Sequence, residues 1–180
     1  MISILTSKVM AVKTHYHQDV GRALCDKGAC CKWLGLPSLR YVYPVVTYNC
    51  DKSGKPVSKD VELKMIVLGK DAYESIKTIH DLNGNIADLD IVVTCTDDQY
   101  QKCIYTPAGP ARWKKDPSII KEITRLWERD KQHLLMPVGR IMTEDYIKSK
   151  LTEGTGAQHE DAAPIQRGSD FNAGGVNWEE

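Results

Sequence analysis

Phenylalanine is nearly absent, one residue in 180 against eight tyrosines and four tryptophans. Phe fills cores, whereas Tyr and Trp carry a polar handle and suit half-wet surfaces on which something flat can stack, so the skew points to a binding face. Long apolar runs are absent too. No window approaches the 18 consecutive apolar residues of a spanning helix, and the start MISILTSKVMAVKTHYH lacks a basic flank followed by an apolar run and a cleavage site. A soluble, cytoplasmic protein is expected. Enzyme signatures are missing as well: there is no GxxxxGK[ST], no GxGxxG after a strand, no HExxH and no GxSxG. Leu68-Gly69-Lys70 joins a strand to a helix as a phosphate loop would, but without the upstream glycine and the hydroxyl residue it reads as an ordinary turn. The paired acids Asp97-Asp98 and Glu144-Asp145 fall where a turn and a helix start need them. No enzyme is expected.

Net charge is zero, yet the two signs are unevenly spread. Residues 1–150 hold 23 basic against 18 acidic side chains, and residues 151–180 hold one against six. A mildly basic body with an acidic tail suits a polyanionic partner. With 42% hydrophobic and 27% charged residues the body lies in the globular range, and its length fits one domain. The division expected is a domain over 1–150, with an uncertain N-terminal arm at 1–35, and a flexible acidic tail over 151–180.

Residues 10–20 read as a helix or an extended arm. From Leu39 the pattern sharpens: LRYVYPVVTYNC, the turn DKSGK and VELKMIVL form a hairpin, with Val61, Leu63, Met65 and Val67 on one face. Asp71 can cap a short amphipathic helix carrying Tyr73, Ile76, Ile79 and His80, ended by Asn83-Gly84. LDIVVTCT and YQKCIYT flank a turn and make a second hairpin. Asp116 and Pro117 start a longer helix with Ile119, Ile120, Ile123, Leu126, Trp127 and Leu134 along one stripe. MPVGRIM reads as an edge strand, and a last helix runs from Thr143 to about Lys150.

Six cysteines without a secretory signal read as reduced thiols, with Cys95 and Cys103 as small hydrophobes in strands. His15, His17, Cys25, Cys30 and Cys31 are the residue types that zinc prefers. However, four residues separate Cys25 from Cys30, Cys31 adjoins Cys30, and the Cys-x-x-Cys spacing is lacking. The reading from spacing is no cofactor, with zinc on this cluster as the alternative.

Basic and aromatic residues interleave at Lys32-Trp33, at Arg40-Tyr41-Val42-Tyr43, at Tyr100-Gln101-Lys102 with Tyr105 beyond it, and at Arg112-Trp113-Lys114-Lys115. Single strands are held by Lys/Arg along the phosphates and by rings on which bases stack, each stack contributing about 1–3 kcal/mol. These twelve ionic and aromatic positions are therefore the candidate contacts.

The order hairpin, Gly-Lys, helix, hairpin, closest in VELKMIVLGKDAYESIKTI followed by DLDIVVTC, resembles the oligonucleotide-binding barrel of phage single-stranded DNA-binding proteins. The resemblance covers about half the chain. It implies an α+β fold built on a small antiparallel β-barrel (OB-fold-like) with helical decorations. It implies a protein that coats single-stranded DNA in replication, recombination and repair, in the host cytoplasm, and whose tail (Asp170, Phe171, Trp178, Glu179, Glu180) recruits replication partners. The sequence departs from that family in lacking the Cys-x-x-Cys of its zinc-bearing members and in showing two clear strands before the helix instead of three. The alternative function is a structural or assembly adaptor that docks through the tail and the Trp127 helix without binding nucleic acid.

Overall fold

The computed structural model describes residues 1–51, 56–96, 102–153 and 177–178. β-Branched and aromatic residues crowd the long hairpin of β4 (Ser38–Cys50) and β5 (Pro56–Leu68), joined in antiparallel register from Tyr41 opposite Leu68 to Tyr48 opposite Val61. On its other edge β4 meets two further strands in succession. Its first part pairs with β2 (Met10–His17), and residues 45–47 pair with β1 (Ile2–Ile4). Pro44 falls between these two stretches, where a missing N–H on that edge costs least.

The N-terminal segment is therefore strand, neither helix nor arm. Met10, Val12 and Thr14 are buried and alternate with Ala11 and Lys13, a period of two that fits a half-covered strand. β1 sits in the middle of the sheet, pairing with β4 on one side and with β6 (Leu89–Cys95) on the other. β3 (Gly21–Leu24) extends β2, and β7 (Cys103–Pro110) extends β6. The backbone of β8 (Asn177–Trp178) pairs with Met10 and Ala11.

The strand order is β3-β2-β4-β1-β6-β7, with β5 on the remaining edge of β4 and β8 on β2, and every strand ladder is antiparallel. The class is α+β, as expected. Among the described residues no ladder joins β5 to β7, so the sheet is not closed into the barrel that the sequence led us to expect.

Among the described residues four α-helices decorate the sheet: α1 (Ala29–Leu34), α2 (Lys70–Asn83), α3 (Pro117–Leu135) and α4 (Glu144–Glu153). α2 starts two residues earlier than a cap at Asp71 suggests, with the backbone of Gly69 in the capping position, and stops at Gly84, whose φ of 85° suits glycine. The carboxylate of Asp116 accepts the Ser118 N–H at 2.9 Å and caps α3 as read from the sequence. The expected edge strand at MPVGRIM is a 3₁₀ turn over Met136–Val138, because Pro137 removes an N–H, and only Arg140 bridges to the sheet at Ala23. Among the described residues no helix is long and apolar enough to cross a membrane.

α2 lays Ile76 and Ile79 over a core of Ile4, Tyr43, Val45 and Ile91, and α3 covers Val46, Val61 and Leu63 with Ile119 and Leu126. A third cluster joins Val20, Ala23 and Cys30 to Ile147 and Met142, so α4 is the lid of a lobe built on β3 and α1. Ile91 is fully buried and well packed, and Ile91→Ala is expected to cost about 2–5 kcal/mol in urea denaturation.

Candidate metal centre and basic aromatic surface

The lobe brings four ligand-type side chains together. His15 lies in β2 opposite Ala23, Cys25 directly follows β3, and Cys30 and Cys31 open α1. One ligand atom from each of the four lies within 4.8 Å of every other. Cys25 and Cys31 Sγ are 3.4 Å apart, and His15 Nε2 is 3.6 Å from Cys31 Sγ. The first separation is far longer than the roughly 2.05 Å of a disulfide bond. A tetrahedral ion at about 2.3 Å from sulfur and 2.0–2.1 Å from nitrogen sets its ligands about 3.5–3.8 Å apart, so the cluster fits zinc in a Cys3His set.

The loop explains how an unpromising spacing converges. Asp26 accepts the Gly28 N–H at 2.8 Å, Lys27 takes a left-handed φ of 61°, and this tight turn folds Cys30 back toward Cys25. Asp26 N–H in turn points at Cys30 Sγ at 3.3 Å, a bond that supports a thiolate. Burial, reinforced by a hydrogen bond to Asp26 at 2.7 Å, pushes the Cys30 thiol up to about 12. His15 is 1% exposed and its Nδ1 has no hydrogen-bond partner. His17 is not in the cluster: its ring turns to Asp19 at 3.5 Å.

Beside the cluster, the exposed face of α1 meets α4. Glu144 accepts from the Trp33 indole N–H at 3.1 Å and from Lys32 at 3.1 Å, and pairs with Lys148 at 3.0 Å. Both ammonium groups lie 5.3 Å from the Trp33 ring centre. The donors, Lys148 first, hold the Glu144 carboxyl down at about 2, so its contribution is present above its ordinary value and is lost as pH falls toward 2. A tryptophan fluorescence step in that acid window is expected, and Glu144→Gln is expected to remove it.

A second group gathers where β5 turns into α2. Arg40 Nη1 lies so close to Gly69 that a Cβ there would stand 3.0 Å from it, and Arg40 Nε is buried without a hydrogen-bond partner. Tyr41 stacks face to face on Tyr73, centroids 3.8 Å apart and planes within 5°. Next to them an elongated cleft of about 410 Å³ separates β5 and α2 from β7, with Gly69 on one wall and Lys102 and Tyr105 on the other. Burial pushes Tyr105 upward, and Arg22, half-buried near Arg40, is lowered first by burial and then by that neighbouring charge. Tyr73 packs against the core, as its helical spacing with Ile76 and Ile79 suggests, and its ring also stacks on Tyr41.

The other sequence candidates are placed differently. Tyr43 is 4% exposed and faces the core, its hydroxyl pushed up to about 12 by burial. Arg112 pairs with buried Asp90 at 3.4 Å, Lys114 pairs with Asp88, and Trp113 packs against the core beneath α3. These three close the end of β6 and β7, while Lys115 is exposed beside them. The structure thus puts Lys102 and Tyr105 on the cleft, Arg40 beside Gly69 and Tyr41 on Tyr73, keeps Lys32 and Trp33 as a pair on α1, and sets 112–115 apart. Tyr100, Asp170, Phe171, Glu179 and Glu180 lie outside the described residues, and of Trp178 the backbone alone is described. Compared with known proteins, the chain matches no family model, no curated protein and no solved structure.

Proposed function

We propose that this chain is a non-enzymatic single-stranded DNA-binding protein whose β2–α1 lobe is held by one zinc ion. The observation that carries the reading is the strand order. A bent first strand (β1 and β2) pairs with β4, β4 pairs with β5, a helix follows, and β6 returns to the first strand before β7. That is the order of the five-stranded, partly open OB barrel, which binds oligonucleotides on its second and third strands and on the loops after its first and fourth. In this chain those strands are β4 and β5. The first loop is the lobe with Lys32 and Trp33, and the fourth leads into Lys102 and Tyr105. Arg40 and Tyr41 stand between them on β4. Cations for phosphates and rings for bases are thus offered along the elements that this architecture uses.

Zinc would be held by His15, Cys25, Cys30 and Cys31, and would tie β2, β3 and α1 into one unit. Its contribution is structural, since all four tetrahedral positions are filled by protein. The acidic segment after 153 is the part proposed to recruit replication or recombination partners.

Titration of the full chain with labelled oligo(dT) is the test. Quenching of tryptophan fluorescence, tighter binding than to a mixed duplex, and affinity that falls with salt are expected. Equal affinity for duplex, or affinity indifferent to salt, overturns the reading. Removal of residues 154–180 is expected to keep or raise strand affinity.

A further inference from the structure

The metal cluster does not account for Cys95 and Cys103. They lie directly opposite each other at the end of β6 and the start of β7, with Sγ atoms 2.9 Å apart. The register tells which kind of pair they form. Thr96 N–H donates to the Lys102 carbonyl at 2.8 Å, so the adjacent 96/102 position is hydrogen-bonded. Antiparallel ladders alternate, which puts 95/103 at the close position, where Cα atoms are about 4.5 Å apart. That spacing is inside the 4.4–6.8 Å range a disulfide spans. Both side chains are half-buried, so a small oxidant reaches them, while Cys103 also lines the cleft between β7 and α2.

We infer that Cys95 and Cys103 are a modification site: a dithiol that a low-molecular-weight disulfide converts reversibly into a cross-strand disulfide. The thiolate of one cysteine attacks glutathione disulfide and releases one glutathione thiol. The second thiolate then attacks the protein sulfur of the mixed disulfide and releases the other glutathione thiol. Two protein thiols are oxidised, one glutathione disulfide is reduced to two thiols, and both protons end on glutathione. The bond staples the hairpin just before the turn that carries Lys102.

The experiment uses the full chain, loaded with zinc and equilibrated with glutathione at increasing disulfide-to-thiol ratios. Trypsin cuts after Lys77, Lys102 and Arg112, so Cys95 and Cys103 leave on separate peptides, 78–102 and 103–112. The expected product is these two peptides joined, 2 Da lighter than their sum, formed at ratios where Cys50 is still reduced and restored to two peptides by dithiothreitol. In Cys103→Ser the resolving thiol is gone, and Cys95 is expected to carry a glutathione adduct. Separate glutathione adducts on Cys95 and Cys103 of the unmodified chain overturn the inference, as does pairing of either with another of the six cysteines. The mass readout is independent of strand binding, so its outcome stands whatever the oligonucleotide titration gives.

Discussion

Stripping the chain with a strong chelator is expected to release one equivalent of zinc and to unfold the lobe of β3, α1 and α4, while amides under α2 stay protected from exchange. The lobe has a small core of its own: Val20, Ala23, Cys30, Met142 and Ile147 are its buried apolar members. Clusters of that size rarely hold a fold unaided, and structural zinc in small domains contributes about 10–16 kcal/mol at neutral pH. One substitution separates a metal site from three thiols and an imidazole packed by chance. In a metal-free core His15→Ala would cost the cavity left by a fully buried ring and its contact with Cys31, with no metal content to lose. As a zinc ligand the same residue, once removed, is expected to lower the melting temperature by 10 °C or more and the bound zinc to a fraction of an equivalent. A chain that holds no zinc and melts at the same temperature with and without chelator rules the centre out.

The second large effect is expected in the salt dependence of strand binding. On single strands each phosphate contact contributes about 0.7 to the slope of log affinity against log salt. Arg40→Ala, beside Gly69, and Lys102→Ala, on the cleft wall, are each expected to reduce that slope by about 0.7 and to weaken binding uniformly across sequences. Lys114→Ala is the control. Its ammonium is committed to Asp88 at the far end of the β6–β7 hairpin, and its loss is expected to leave the slope unchanged. Equal losses for all three variants would mean a diffuse electrostatic surface with no defined path for the strand.

Where the chemistry is local, the sequence was a good guide. The β4–β5 hairpin, α2 and the capped start of α3 follow from β-branched runs, a Gly-Lys break and an Asp-Pro pair, all within a few residues of the structure they specify. The N-terminal strands were illegible because their partners are remote: Ile2 pairs with Thr47 and Ile91, and no window around Met10 contains that information. The convergence of the His/Cys cluster was illegible on the same ground. Linear spacing showed no Cys-x-x-Cys, whereas the turn at Asp26 and Lys27 brings the start of α1 back toward Cys25, and His15 arrives from another strand. In the 112–115 segment, Arg112 and Lys114 pair with Asp90 and Asp88, partners that sequence proximity did not suggest.

The central place of β1 bears on how the chain is made. Ile2 and Ser3 are synthesised well before Asp90 and Ile91, yet one of the two ladders they join needs those residues, almost ninety positions further along. Until then one edge of β1 stays open, in a topology whose remote pairings make folding slow. An unpaired strand edge of that kind is where incomplete chains pair wrongly with one another.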